Sequence, residues 1–212
     1  MTFNSHRYSF EPTDPGAAQL HRVASLPGPF RYLYYLYVRY IRRDVKWATV
    51  IRGFGPKTAA ELWKTTAQRE TYRRRWHAWW DAEPQQFDFV LCPANATPAL
   101  PHGAMRDAVS SCGYTFLWNL LDYSAGVVPV DHVDPKLDAI PTYRHALREA
   151  NADNAMARGA WMHYDAQKMA GLPTAVQVVG RRWEEEKVLG YMAAVQAALE
   201  SVGEQYRHLS VD

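Results

Sequence analysis

Three short strings rich in β-branched and apolar residues punctuate the chain: FDFVLCP at 87–93, GVVPV at 126–130 and TAVQVV at 174–179. Between and around them the apolar residues recur at helical spacing. Short β-branched runs bounded by turn residues read as strands, and a 3.6-residue period reads as helix. The resulting order is helices, strand, helix, strand, helix, strand, helix. That order excludes an all-helical bundle and a β-sandwich, and it predicts an α/β architecture in which helices cover a sheet. With 212 residues, 48% of them hydrophobic, the chain is long enough for one domain with a substantial core. No internal repeat, low-complexity tract or second domain boundary interrupts the pattern.

Charge narrows the function classes. Lys plus Arg number 24 against 22 Asp plus Glu, a net charge of +2. Nucleic-acid-binding domains carry a clearer basic excess, so no nucleic-acid partner is expected. Cys92 and Cys112 sit in apolar surroundings without a CxxC spacing, which predicts two buried free thiols rather than a disulfide or a metal pair. No apolar stretch reaches the roughly 18 residues of a transmembrane helix. The first ten residues, MTFNSHRYSF, lack the apolar centre of a signal peptide.

The segment PFRYLYYLYVRYIRRD, 29–44, is crowded with tyrosine and arginine. On a helix, Phe30, Leu33, Tyr34, Tyr37, Val38 and Ile41 fall on one stripe, and Arg31, Tyr35, Arg39, Arg42, Arg43 and Lys46 lie mostly opposite. Two readings remain open from the residues alone. One is a surface helix packed on its own core; the other is a membrane-surface helix with tyrosines at the headgroups and arginines against anionic lipid. A second helical run, VKWATVIRGFGP, stops at Gly53, Gly55 and Pro56. A long helix is predicted from Thr58 to about residue 83, with Leu62, Thr65, Arg69, Tyr72, Trp76 and Trp79 as its stripe. Its Arg73-Arg74-Arg75 triplet reads as a solvated face. The string at 87–93 reads as a buried strand and 131–144 as a polar loop, and 143–169 is helix-prone. The last helix begins near Trp183, with Glu184, Glu185 and Glu186 in its first turn, where the helix dipole favours acids. Its buried stripe is Val188, Tyr191, Met192, Val195 and Leu199.

Motifs that carry chemistry are missing. DYSAG at 122–126 lacks the first glycine of a nucleophile elbow. No phosphate loop or HExxH occurs, so no metal and no cofactor is expected. Ser110, Ser111 and Cys112 are adjacent nucleophile types, with no base at a recognisable spacing.

Four strings carry a resemblance: GPKTAAELW (55–63), FDFVLCPANATPAL (87–100), YTFLWNLLDYSAGVVPV (114–130) and GLPTAVQVVGRRWEEEKVLGYMAAV (171–195). In this order, from about residue 26 to 199, the chain resembles the amidase signature family, and within it the fatty acid amide hydrolase branch, over the C-terminal part only. The resemblance implies the C-terminal portion of the amidase signature fold, a mixed sheet covered by helices, spanning 1–212 and carrying an amphipathic helical membrane cap at 26–56. It implies hydrolysis of a lipid amide to fatty acid and amine. The family's Ser–Ser–Lys triad lies in a glycine- and serine-rich stretch that has no counterpart here. The expectation is therefore a chain without catalytic residues, inactive alone, with the N-terminal catalytic part absent. The resemblance carries over an acyl-chain chamber onto Val50, Val109, Cys112 and Phe116, and a membrane contact onto Phe30, Leu33, Tyr34, Tyr37, Ile41, Arg31 and Arg39. Implied partners are a fatty-acid amide, a peripheral or monotopic intracellular membrane contact, and a second copy or the missing N-terminal half. The alternatives are a non-catalytic lipid- or membrane-binding module and a fragment of a generic soluble, cytoplasmic amidase.

Overall fold

The computed structural model describes residues 15–82, 84, 86–104, 108, 112–140, 155–204 and 206–207. In chain order the elements are α1 (Pro15–Ser25), α2 (Gly28–Leu36), a π-helical turn (Tyr37–Ile41), α3 (Val45–Arg52), α4 (Ala59–Trp80), β1 (Val90–Pro93), α5 (Gly113–Leu121), β2 (Ala125–His132), α6 (Ala155–His163), β3 (Pro173–Val179) and α7 (Glu185–Ser201). They fall into two compact units. The first is Met1–Pro56, Leu100–Val109 and Tyr143–His163; the second is Lys57–Ala99, Ser110–Thr142 and Tyr164–Asp212.

The first unit is helical. Val23, Val38, Ala48 and Ile51 form its core, with Tyr34, Tyr35, Trp47 and Phe54 packed around them. Asp44 caps α3 by accepting the Trp47 backbone N–H at 2.8 Å. Within this unit Arg158 of α6 donates from Nη2 to the Arg42 carbonyl at 2.7 Å. The stripe expected on one face of 29–44 divides. The Arg42 N–H bonds the Tyr37 carbonyl five residues back, at 3.1 Å, and this wider turn rotates the later residues away from their α-helical directions. Val38 is buried and Tyr34 half-buried, whereas Phe30, Leu33, Tyr37 and Ile41 are exposed.

The second unit is built on a sheet of order β1-β3-β2. Val90 to Pro93 pair with Val179 to Val176, and Ala125 to Val128 pair with Val179 to Val176 from the other side. Both ladders are antiparallel, so among the described residues the expected mixed sheet is corrected to an antiparallel one. The physical reason is an insertion. β1 and β2, joined through a helix, do run in the same direction, but β3 lies between them and pairs with each. β1 is an edge strand rather than a buried one, with Leu91 51% exposed. β2, the other edge, tolerates Pro129 and carries an irregularity between Pro129 and Asp131.

Helices cover both faces. On one, Val128, Val178 and Val188 form a core with Phe89, Val176, Tyr191, Met192 and Val195, which seats the predicted α7 stripe from Val188 to Val195 and leaves Leu199 outside it. On the other, Trp80, Trp118, Leu121, Tyr123 and Val179 pack with Trp76, Phe87, Val90, Cys92 and Leu117. The inward face of α4 is Arg73, Trp76, His77 and Trp80, rotated from the predicted stripe; of that stripe only Trp76 lies on it. Arg73 is buried, which corrects the solvated reading of the triplet, while Arg74 and Arg75 are exposed. The strand at 125–132 runs into the stretch expected to be loop, and the helix expected over 143–169 occupies 155–163, with 141–154 outside the described residues. Cys92 and Cys112 are free and half-buried.

The exposed start of α4 depends on its cap. Thr58 Oγ1 accepts the Glu61 N–H at 3.2 Å and Glu61 Oε2 accepts the Thr58 N–H at 2.8 Å, a reciprocal capping box. Thr58→Ala is expected to cost about 1 kcal/mol, read as faster amide exchange over 59–62. The Thr58 backbone N–H holds the Glu61 carboxyl below the usual glutamate range. A depressed folded value means the cap contributes above the unfolded pKa and is lost as the pH falls through the folded one. The protection of the same amides, taken relative to intrinsic exchange at each pH, should therefore fall in acid, and a Glu61→Gln chain should lose that dependence.

Candidate functional site

The string LDYS, 121–124, folds into a corner that gathers the second unit. Asp122 ends α5 in the left-handed region, φ 62°, a conformation that aspartate tolerates better than most residues. This turn aims its carboxylate at two arginines: Arg182 Nε lies at 2.7 Å and Arg73 Nη2 at 3.3 Å. Arg73 also reaches Glu70 Oε1 at 3.1 Å, which explains how a guanidinium is accommodated on an inward helix face. The Arg182 guanidinium in turn lies over the Trp183 ring, 4.7 Å from its centroid.

Tyr123 is buried between Trp80 and Trp118, with ring centroids at 5.3 and 5.9 Å. Its hydroxyl lies 3.2 Å from His77 Nδ1. Burial, and after it the Asp81 carboxylate, push the phenol above its ordinary value. A raised folded pKa means the contribution is complete below the unfolded value and is lost as the pH rises through the folded one. In a spectrophotometric phenolate titration Tyr123 should ionise above the free-tyrosine range, and Tyr123→Phe should remove that late component together with its share of alkaline unfolding.

Ser124 Oγ donates to Glu185 Oε1 at 2.9 Å, and the Ser124 carbonyl accepts the Gly180 N–H at 2.9 Å. These bonds tie the start of β2 to the end of β3 and the first turn of α7. The corner thus joins elements of the second unit together. Among the described residues no group of His, Cys, Asp and Glu could hold a metal.

The residues expected to line an acyl-chain chamber lie in both units. Cys112 precedes α5 and is half-buried, its carbonyl accepting Thr115 Oγ1 at 2.9 Å. Phe116 lies one turn further and is 53% exposed; the buried residues of α5 are Trp118 and Leu121. Leu120, also exposed, continues the row at i+4. Extending the Cys112–Phe116 spacing by one more turn finds Leu120, which the sequence reading passed over. Val109 lies outside the described residues. Val50, on α3 of the first unit, is exposed.

Of the expected membrane contacts, Phe30, Leu33, Tyr37 and Ile41 present bare apolar surface, with Ile41 73% exposed. Tyr34 packs against the first unit's core. Arg31 is half-buried and donates from Nη1 to the Leu26 carbonyl at 3.0 Å. Arg39 is half-buried beside the Tyr40 ring, 5.6 Å from its centroid. Among the described residues no helix is long and apolar enough to cross a membrane.

Residues 39–189 match the family profile described as Amidase. The chain belongs to the amidase family. Within this chain the matched range takes in α3, α4, the Asp122 corner and the whole sheet. It is 35% identical over 143 residues to Amidase 1 of Gibberella moniliformis, covering 66% of this chain and 26% of that protein. Identity is 34% over 153 residues to fatty-acid amide hydrolase 1 of Sus scrofa, covering 70% and 24%. To an acetamidase of Aspergillus oryzae it is 31% over 133 residues, covering 61% and 23%. Thus the chain spans about a quarter of the length of these curated relatives. A solved fatty acid amide hydrolase shares the fold, with a TM-score of 0.55 at 20% identity over 92% of this chain and 38% of that one.

Proposed function

We propose that this amidase chain forms an acyl-chain wall and a membrane-facing surface for hydrolysis of a lipid amide to fatty acid and amine, and does not cleave the amide alone. The observation that carries the reading is the bare apolar row Phe116–Leu120 following Cys112 on α5. The exposed residues Phe30, Leu33, Tyr37 and Ile41, with Arg39 nearby in sequence, support the membrane surface. Relatives named fatty acid amide hydrolase, from Sus scrofa and Caenorhabditis elegans, are each 34% identical to this chain. The reaction would pass through an acyl-enzyme on a serine of the family's triad, to which no residue of this chain is assigned.

Acetamidases of Aspergillus oryzae and Emericella nidulans, at 31% and 32% identity, favour a second reading with a small amide as substrate. Equilibrium binding of a fluorescent long-chain fatty amide separates the two. The lipid reading predicts saturable binding that Phe116→Asp weakens, and roughly tenfold weaker binding when two methylenes are removed from the tail. Competition by acetamide, with no dependence on tail length, would support the small-amide reading. Fatty amide turnover by the purified chain, surviving repurification, would overturn the assignment of a wall without catalysis.

A further inference from the structure

The C-terminal half of α4 is held along one side. Arg73 reaches Asp122 at 3.3 Å, and Trp76 and Trp80 pack into the aromatic core of the second unit. The same face continues toward the start of the helix. Two and three turns before Arg73, the helical period brings Thr66 and Leu62 into line with it, with Ala59 before them and Trp63 and Ala67 alongside. Among the described residues nothing covers this continuation. Positions 57–69 are all exposed, Leu62 at 58% and Trp63 at 73%. About three turns of helix therefore carry a bare apolar side that is continuous with a buried one. Ala59, Leu62, Trp63, Thr66 and Ala67 form one contiguous stripe, unlike singly scattered exposed residues. The charges at its edge are already matched, since Glu70 Oε1 is held by Arg69 Nη2 and Arg73 Nη1, each at 3.1 Å. Glu61, Lys64 and Gln68 lie on the opposite side of the helix. Covering the stripe thus buries no unpaired charge.

We propose that this stripe joins two copies of the chain, with α4 of one antiparallel to α4 of the other about a two-fold axis between Lys64 and Thr65. The order of sizes along the stripe favours this occupant. Leu62 and Trp63 are large, and one turn later Thr66 and Ala67 are small. The axis sets Leu62 against Ala67 of the second copy and Trp63 against its Thr66, so large side chains fall on small ones from both directions. One helix thus carries both halves of the fit. The antiparallel pairing also opposes the two helix dipoles. A lipid surface is the poorer occupant, because the cation at the edge of the stripe, Arg69, is engaged by Glu70. The proposal stands on α4 alone and does not depend on the lipid-amide reading above.

The test is sedimentation equilibrium of the full chain from micromolar to submillimolar concentration, with amide hydrogen exchange followed over the same range. A reversible monomer–dimer equilibrium is expected, with protection over 59–67 rising as the dimer forms. Trp63→Asp and Thr66→Asp, both at exposed positions, should each weaken association by at least about tenfold. Gln68→Asp, which places the same charge on the opposite side, should change it by no more than about twofold. A chain that stays monomeric throughout, or a dimer weakened equally by Gln68→Asp, would overturn the proposal. So would a dimer dissolved by a Leu33→Asp, Ile41→Asp double substitution and not by Trp63→Asp, or a monomer whose 59–67 amides gain protection only from phospholipid vesicles. If one of the two stripe variants fails to fold, the other remains decisive.

Discussion

Replacing Trp80 with alanine should lower the stability of the second unit by about 4 kcal/mol. Trp80 is fully buried and is among the largest side chains in the protein that are. Its ring meets Tyr123 at 5.3 Å and Phe87 at 6.2 Å, and its Nε1–H donates to the Phe87 carbonyl at 2.6 Å. Truncation removes the apolar burial, leaves a cavity between α4 and the sheet, and deprives a carbonyl of its donor. At the lower end of a typical total of about 5–15 kcal/mol, that loss takes the unit close to unfolding. Urea denaturation followed by far-UV circular dichroism measures it. Trp80→Phe keeps most of the ring packing and loses the hydrogen bond, so it should cost less. A loss for Trp80→Ala below about 1 kcal/mol, the scale of an ordinary surface change, would mean that this cluster does not hold α4 to the sheet.

Gly180→Ala is expected to destabilise by about 2 kcal/mol. Gly180 is buried where β3 turns toward α7, and a Cβ there would stand 2.6 Å from Val188 Cγ2. Val188 is itself buried, and β-branching leaves it few rotamers in a helix. The methyl group cannot be absorbed by a side-chain swing. A Gly180→Ala, Val188→Ala double substitution should therefore lose less than the sum of the single losses. Gly190, in the same helix, offers the control: nothing lies within 4 Å of its Cβ position, so Gly190→Ala should stabilise by up to about 1 kcal/mol through helix propensity. Additive losses at 180 and 188 would place the strain elsewhere.

Much of this architecture was legible because burial periodicity is a local signal. The α7 stripe beginning at Val188 and the three strands sit where the pattern of β-branched and apolar residues puts them. What the pattern could not supply was pairing. The insertion of β3 between β1 and β2 is a long-range event, and a helical connection from β1 to β2 resembles the connection of adjacent parallel strands. The inward turn of Arg73 was equally hidden, since its partner Asp122 lies 49 residues away and reaches it from a left-handed turn. The stripe at 30–41 was read with a constant 3.6-residue period, and the π turn after Leu36 breaks that period without any proline or glycine to announce it. For the candidate wall, the spacing from Cys112 to Phe116 was visible in the residues, while the exposure of Phe116 and Leu120 depends on which side of α5 meets Trp80 and Tyr123.

The lipid-amide account is tested most directly by vesicle co-sedimentation. The chain is spun with vesicles of zwitterionic and anionic phospholipid at low and high salt, beside a Leu33→Asp, Ile41→Asp double variant. Both positions are exposed, so the variant should keep the wild-type circular dichroism spectrum. The account predicts that the wild-type chain pellets with the vesicles, more at low salt because arginines attract anionic lipid, and that the variant stays in the supernatant. Folded wild-type chain that remains in the supernatant under every condition would contradict it.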